Sequence, residues 1–320
     1  MPTQTALIYS HVDEGVDLND SYHFQANNIR VEIKKISSSS IKNISNKITD
    51  IKLEEVPLYQ VKAYSDNKEI TEIYEPIEVS LPYNAQTGKD VKKICAFGIE
   101  NDGSILNLGG DYKQVTNCHV FQVSKLQPFF IKDNNVEYTD LNSVNWAKTF
   151  IETLAAKGIV QGMGKSEFKP NELLTRAQFV TMLVKALKLD EAAPKATFSD
   201  VKESDWYYRY VNAAYKSKII NGMPDGGFSP NSPITRQDMA VILSNVFTEM
   251  YKEQDIANLS NIQSFNDKND IAKYAYTPLA KVIEKGLMQG TGNNTLAPKR
   301  YTIRAEAATV IYKLYYLDKN

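Results

Sequence analysis

The 320-residue chain has no apolar run that approaches the length of a membrane span. Its first thirty residues lack the basic start and the apolar stretch of a secretory signal. The sequence is therefore either that of a cytosolic protein or a piece of a longer exported chain. Neither sign of charge is in excess, with 37 Lys and Arg against 38 Asp and Glu, so no polycation for nucleic acid is implied. Cysteine is scarce. Cys95 and Cys118 are the only two, neither in a CxxC, and His11, His23 and His119 form no ligand spacing, which argues against a metal site. The thiols are either buried in strands or joined between neighbouring strands. GxSxG, a phosphate-binding loop and a dinucleotide fingerprint are all missing. The nearest approach to a hydrolase pair is Glu54 with Glu55, and Glu75 with Glu78; they read as solvated strand edges rather than as an acid and its base. No catalytic residue and no cofactor is expected.

What remains is enough for two domains with real cores, since 42% of the residues are apolar. Residues 5 to about 132 read as β. Segments 29–36, 58–64, 70–81, 93–100 and 115–125 are rich in Val, Ile, Tyr and Phe, and several alternate apolar with polar residues. Asn101-Asp102-Gly103 signals a hairpin and Gly109-Gly110 another turn. The expected product is a small β-sandwich over residues 1–133, followed by a polar linker at 133–138.

From Thr139 the period becomes helical and the chain repeats itself three times. WAKTFIETLAAKGIVQG from Trp146, WYYRYVNAAYKSKIING from Trp206 and YAYTPLAKVIEKGLMQG from Tyr274 are each followed by a second apolar-periodic segment. Trp146 to Gly162 and Trp206 to Gly222 are both 16 residues; Gly162 to Arg176, Gly222 to Arg236 and Gly290 to Arg304 are all 14. Such a fixed period sets the architecture before any single residue does. Each copy reads as helix, loop, helix. Ala147, Phe150, Ile151, Leu154 and Ala155 form one apolar stripe, as do Tyr207, Tyr210, Val211, Ala214 and Tyr215. Gly158 and Gly286 stand where a left-handed helix cap is expected. One copy is too small to bury both of its helices. No copy has a polar terminal face, which favours closure of the three around a shared axis over a line.

The start of the second helix carries the sharpest signal. Thr175 with Gln178 forms a capping box, and Thr235 with Asp238 repeats it. Arg176, Arg236 and Arg304 occupy the first helical position, where a cation opposes the helix dipole. Two accounts fit: an anion site at free helix N–H groups, or an arginine pairing with a carboxylate of the neighbouring copy. Gly162, Gly222 and Gly290 either supply a turn with positive φ or let a ligand lie on the backbone. Trp146, Trp206 and Tyr274 either pack between copies or offer a flat face to a sugar ring.

These residues are similar to those of the S-layer homology (SLH) family. The tetrads Thr-Arg-Ala-Gln, Thr-Arg-Gln-Asp and Ile-Arg-Ala-Glu resemble its Thr-Arg-Ala-Glu signature, and Phe198-x-Asp200, Phe265-x-Asp267 and the Gly-Ile-Val-x-Gly run at 158–162 fit as well. The resemblance covers residues 138 to 320, with repeats at 138–190, 196–250 and 262–320. It implies an α+β chain by domain: an all-β unit, then an all-α pseudo-three-fold trimer of helix–loop–helix repeats. It implies a non-enzymatic anchor outside the cell, in the cell wall or S-layer of Gram-positive-type bacteria. The partner implied is secondary cell-wall polysaccharide with a pyruvate ketal on N-acetylmannosamine, with S-layer subunits as a second class of partner. The ligand-binding set implied is Arg176, Arg236, Arg304, Gly162, Gly222, Gly290, Trp146, Trp206 and Tyr274. The alternatives are a lattice-forming fragment or the wall-binding tail of an exported polysaccharide-degrading enzyme. Residues 77–83, the hairpin at Asp102-Gly103 and Cys118-His119-Val120-Phe121 resemble the β-module that often precedes such repeats, read as a spacer; Val120 and Gln122 depart from its His-Phe-Ser pattern. The third copy departs too. Ile303 stands where Thr175 and Thr235 stand, so its N-cap is lost or passes to Thr302. Thr277-Pro278 starts a helix late, and eight extra residues fall near 253–264.

Overall fold

The computed structural model describes residues 7–8, 22–26, 29–41, 51–65, 67–70, 76–189, 198–253 and 258–317. His11 and Glu75 lie outside them, as do the side chains of His23 and Glu54. The chain divides into two units: Met1–Val136 with Ala155–Gly158, and Glu137–Leu154 with Ile159–Asn320.

The first unit is β-rich. β1 (Leu7–Ile8), β6 (Ile77–Pro82), β9 (Asp111–Lys113) and β10 (Cys118–Val123) form a sheet in the order β1-β6-β10-β9. β2 (Tyr22–Ala26), β3 (Ile29–Ile36), β4 (Leu58–Ser65), β7 (Ile94–Ile99), β8 (Ile105–Gly109) and β11 (Pro128–Asp133) form a second, in the order β2-β3-β4-β11-β7-β8, with β5 (Lys68–Ile70) paired to β4. One apolar cluster joins them: Val79, Leu81 and Phe121 from the first sheet meet Val61, Ala96 and Phe129 from the second. A separate cluster of Leu58, Cys95, Phe97, Ile99 and Phe130 packs elsewhere on the second sheet. β7 contributes alternate residues to both, so all six are buried. That is why Ile-Cys-Ala-Phe-Gly-Ile runs apolar without alternation.

Several strand expectations are corrected. Segment 70–81 contributes to both sheets, Ile70 through β5 and residues from Ile77 through β6, while 71–75 lie outside the described residues. Segment 115–125 begins pairing only at Cys118, and Val115 is fully exposed in a turn. β11 was not singled out by pattern; it is central, and Phe129 and Phe130 are buried on opposite clusters. The linker does not span 133–138: Asp133 pairs with Ile94, and the Tyr138 ring packs on Phe168 of the second unit. Both thiols are free and buried. Burial pushes Cys95 up to about 11.

The second unit is helical: α1 (Asn145–Ala156), α2 (Arg176–Leu187), α3 (Tyr208–Lys216), α4 (Arg236–Glu249), α5 (Ser260–Gln263), α6 (Tyr276–Glu284) and α7 (Arg304–Tyr315). Gly158 and Gly286 have φ of 72° and 70°, as their place after a first helix requires; Lys218 takes the same conformation in the second copy. α6 is not late by comparison with α3, since both start two residues after their aromatic, Tyr274 and Trp206. Only α1 begins before its own. α2, α4 and α7 are buried almost all round rather than along one stripe. In α2, Val180 and Val184 are as inaccessible as Phe179 and Leu183. Helices of that kind are interior ones.

The inner helices are joined just before their first turns. Leu174 N–H donates to Thr302 O, Thr302 N–H to Ile234 O and Ile234 N–H to Leu174 O, each at 2.9 Å. The three bonds close a ring on itself. Thr302 is wholly buried there, and its hydroxyl has no hydrogen-bond partner, so the cap lost at Ile303 does not pass to it. Thr302→Val keeps the shape and the backbone bonds while removing an unsatisfied group. The expected result is unchanged or increased stability, by up to about 1 kcal/mol in a urea titration; a loss of that size would show that the hydroxyl has a partner.

Candidate functional site

Each inner helix begins inside the next copy. The N–H groups of Arg176, Arg236 and Arg304 donate to Ser232, Arg300 and Glu172 carbonyls, all at 3.0 Å; those of Ala177, Gln237 and Ala305 donate to Pro230, Pro298 and Pro170. In the first two copies the third donor goes to the capping threonine: Gln178 and Asp238 N–H each reach the Thr175 or Thr235 hydroxyl at 3.2 Å. Gln178 returns the bond to Thr175 N–H, while Asp238 accepts from the Thr235 hydroxyl. In the third copy Glu306 accepts from Ile303 N–H. The free helix N–H groups expected of an anion site are therefore taken, and their acceptors supply the negative end that offsets the arginine.

The arginines follow the same path. Arg176, Arg236 and Arg304 are buried, and their Nε atoms donate to Phe228, Leu296 and Phe168 carbonyls at 3.0, 2.8 and 2.9 Å. Arg236 and Arg304 also reach Gln289 and Gln161 carbonyls through Nη2. The Arg176 and Arg304 guanidinium groups lie over the Phe228 and Phe168 rings. Burial pushes all three below the ordinary arginine value. The partner in the neighbouring copy is thus a carbonyl, not the carboxylate that the sequence suggested.

The receiving loops are held by a residue whose role the sequence did not disclose. Asp140, Asp200 and Asp267 each accept from two consecutive amides: Phe168 and Lys169, Phe228 and Ser229, Leu296 and Ala297, at 2.6 to 2.9 Å. Lys169, Ser229 and Ala297 all have φ near +50° to +58°, which ordinary residues avoid. The aspartates hold them there. The Phe-x-Asp spacing was the available signal.

Gly162, Gly222 and Gly290 are needed for closeness and not for positive φ. A Cβ on them would come within 2.7 to 2.9 Å of Tyr138, Phe198 and Phe265. The positive φ values fall two or four residues on, at Gly164, Gly226 and Gly292. Trp146, Trp206 and Tyr274 are not packed away between copies; they are 54%, 58% and 59% exposed. The Tyr274 hydroxyl donates to Asp238 at 2.7 Å, and burial together with that carboxylate pushes the phenol up to about 12.

The candidate site residues do not group by copy. A groove of about 500 Å³ is lined by Trp146 of the first copy, Arg236 of the second and Gly290, Arg300, Glu306 and Lys313 of the third. Tyr274 of the third copy meets Asp238 of the second and is an electrostatic neighbour of Arg176 of the first. Among the described residues, no cluster of side chains could hold a metal ion and no helix could cross a membrane.

The S-layer homology domain family matches residues 137–180, 197–240 and 264–308. These three segments of the chain are SLH domains. An exoglucanase XynX of Acetivibrio thermocellus is 38% identical over 61% of this chain and 18% of its own length. An amylopullulanase of Thermoanaerobacterium thermosulfurigenes is 29% identical over 98% of this chain and 15% of its own. The S-layer protein sap of Bacillus anthracis is 32% identical over 55% and 21%. The chain thus spans less than a quarter of each relative. SLH domains are non-catalytic modules of cell-wall anchoring.

Removing an aspartate should release one SLH loop. Asp267→Ala is expected to lower stability by about 3 kcal/mol, since two charge-assisted bonds and the conformation of Ala297 depend on it. Chemical denaturation checks this, and a loss below about 0.5 kcal/mol would contradict the loop role.

Proposed function

We propose that this chain anchors a surface protein non-covalently to the bacterial cell wall. Its three SLH repeats, at 138–190, 196–250 and 262–320, close as a pseudo-three-fold trimer. The grooves between them bind secondary cell-wall polysaccharide through its pyruvate-ketal sugar. Arg176, Arg236 and Arg304 face the sugar carboxylate, Trp146, Trp206 and Tyr274 give flat faces to sugar rings, and Gly162, Gly222 and Gly290 keep the groove floor low. The location is extracellular, in the wall or S-layer, with other S-layer subunits as further partners. The β unit at 1–133 is a spacer, and the chain itself catalyses nothing.

The observation that carries the reading is the Arg236 groove. An exposed indole, a buried arginine and a loop without side-chain bulk meet around an open volume of sugar-ring scale. A ring that carries both an apolar face and a carboxylate asks for that combination. The ring of backbone bonds around Leu174, Ile234 and Thr302 supports the closed trimer. A second reading concerns the cargo. The amylopullulanase match through 98% of this chain favours the wall-binding tail of an exported polysaccharide-degrading enzyme over a lattice-forming fragment.

Co-sedimentation with purified walls tests the anchor, before and after acid stripping of the secondary polysaccharide. Binding should vanish on stripping. Trp146→Ala should weaken it roughly tenfold, the scale of one stacked ring in a sugar site, with an unchanged melting temperature because the indole is mostly exposed. Equal binding to stripped and unstripped walls would sink the polysaccharide reading and point to peptidoglycan.

A further inference from the structure

The three grooves differ in charge at two places. Four residues before the inner-helix arginine stand Glu172, Ser232 and Arg300; two residues after it stand Gln178, Asp238 and Glu306. The Arg236 groove combines Arg300 and Glu306, both from the third copy. There Arg300 holds Glu306 through two bonds, Nη2 to Oε1 at 2.6 Å and Nη1 to Oε2 at 3.2 Å. Lys313 lines the same groove, where the second copy has Asn245 at the matching place. Arg236 itself is 6% exposed; Nε and Nη2 are bound to carbonyls, and among the described residues Nη1 has no protein acceptor. A buried guanidinium with one open nitrogen is left in the wall of an open groove.

The Arg176 groove is built differently. Asp238 is the foremost charged neighbour of Arg176, and no arginine accompanies it, because Ser232 holds the place of Arg300. Its two oxygens take the hydroxyls of Tyr274 and Thr235. These are neutral donors, so its charge stays to offset Arg176. Beside Arg304 the foremost charged neighbour is Glu172, an acid at the place of Arg300 itself, and Lys169 pairs with it at 3.3 Å; Gln178 and Lys185 stand in that copy at the places of Glu306 and Lys313.

We infer that the Arg236 groove binds an anion more tightly than the Arg176 groove, and that Arg300 makes it so. Glu306 is the foremost charged neighbour of Arg236 and Arg300 the next; by holding Glu306, Arg300 offsets that acid and leaves Arg236 and Lys313 to a sugar carboxylate, whereas no arginine offsets Asp238 beside Arg176. The inference rests on the proposal that the grooves take an anionic glycan, and it assigns that glycan to the Arg236 groove ahead of the Arg176 groove. Arg300 acts through Glu306 and is a positioning residue. A like charge facing a ligand opposes it over several ångströms in a partly desolvated groove.

Trp146 and Trp206 are the only tryptophans, so Trp206→Phe makes the indole of the Arg236 groove the sole reporter. The probe is the methyl glycoside of pyruvylated N-acetylmannosamine, with the unpyruvylated glycoside as neutral control. Its titration should change Trp146 emission and saturate. Arg300→Ser, copying the second copy, should weaken binding roughly tenfold. Adding Glu306→Gln, copying the first, should restore most of the affinity, which a merely structural arginine would not allow. Unchanged affinity in Arg300→Ser, with binding lost in Arg236→Ala, overturns the role of Arg300 and leaves the anchor standing. Calorimetric binding with no response from Trp146 places the ligand in another groove and overturns the assignment alone. No binding of the probe by the unsubstituted chain overturns assignment and glycan reading together.

Discussion

The helical unit depends on where the first N–H groups of its inner helices go. An α-helix begins with donors that have no partner inside it, and a side-chain cap satisfies one. Here the first two are satisfied by carbonyls of the adjacent copy, three times over, and the residue two places before each helix closes a ring with its counterparts. An unsatisfied buried amide costs about 1–3 kcal/mol. A copy alone would leave several such donors and expose the apolar surface of a helix buried nearly all round. The helix–loop–helix is therefore a unit of sequence and not of stability.

The groove follows from that arrangement. Because the start of each inner helix sits against the next loop, its arginine lands on the carbonyl of the residue whose N–H an aspartate already holds. Phe228 is held in this way by Asp200 on one side and Arg176 on the other. The loop is rigid because two charges of opposite sign grip the same peptide neighbourhood. Rigid loops leave a fixed volume in front of them, and the exposed aromatic of another copy closes it. The shape of the groove and the closure of the three copies are consequently one problem.

The periodic features were legible in the sequence: three copies, two helices in each, the Thr175 and Thr235 caps, and the left-handed glycines at 158 and 286. Each is a local rule acting within a few residues. What was not legible depends on partners far along the chain. Nothing near Arg304 announces that it reaches Phe168, 136 residues away. The arginine looked exposed to solvent and dipole because its acceptors belong to another copy. The glycines looked like turns because the aromatic rings against them come from before the first helix. In the β unit, apolar enrichment located β4 and β6, which alternate, and β7, which buries both sides, but it did not single out β11, which buries both as well.

Closure through main-chain atoms also explains which positions differ between copies. The ring, the two amide bonds at each helix start and the arginine acceptors all use backbone groups, which every residue but proline can supply in full. Leu296 replaces a phenylalanine and loses the stacked ring, yet its carbonyl receives Arg236 at 2.8 Å, as short as its counterparts. Ile303 replaces a threonine and loses the hydroxyl cap, yet the bonds at Arg304 and Ala305 keep their lengths. Side chains at 172, 232 and 300 and at 178, 238 and 306 are released from the work of closure. Divergence there changes the charge beside each arginine without disturbing the contacts that hold the copies together.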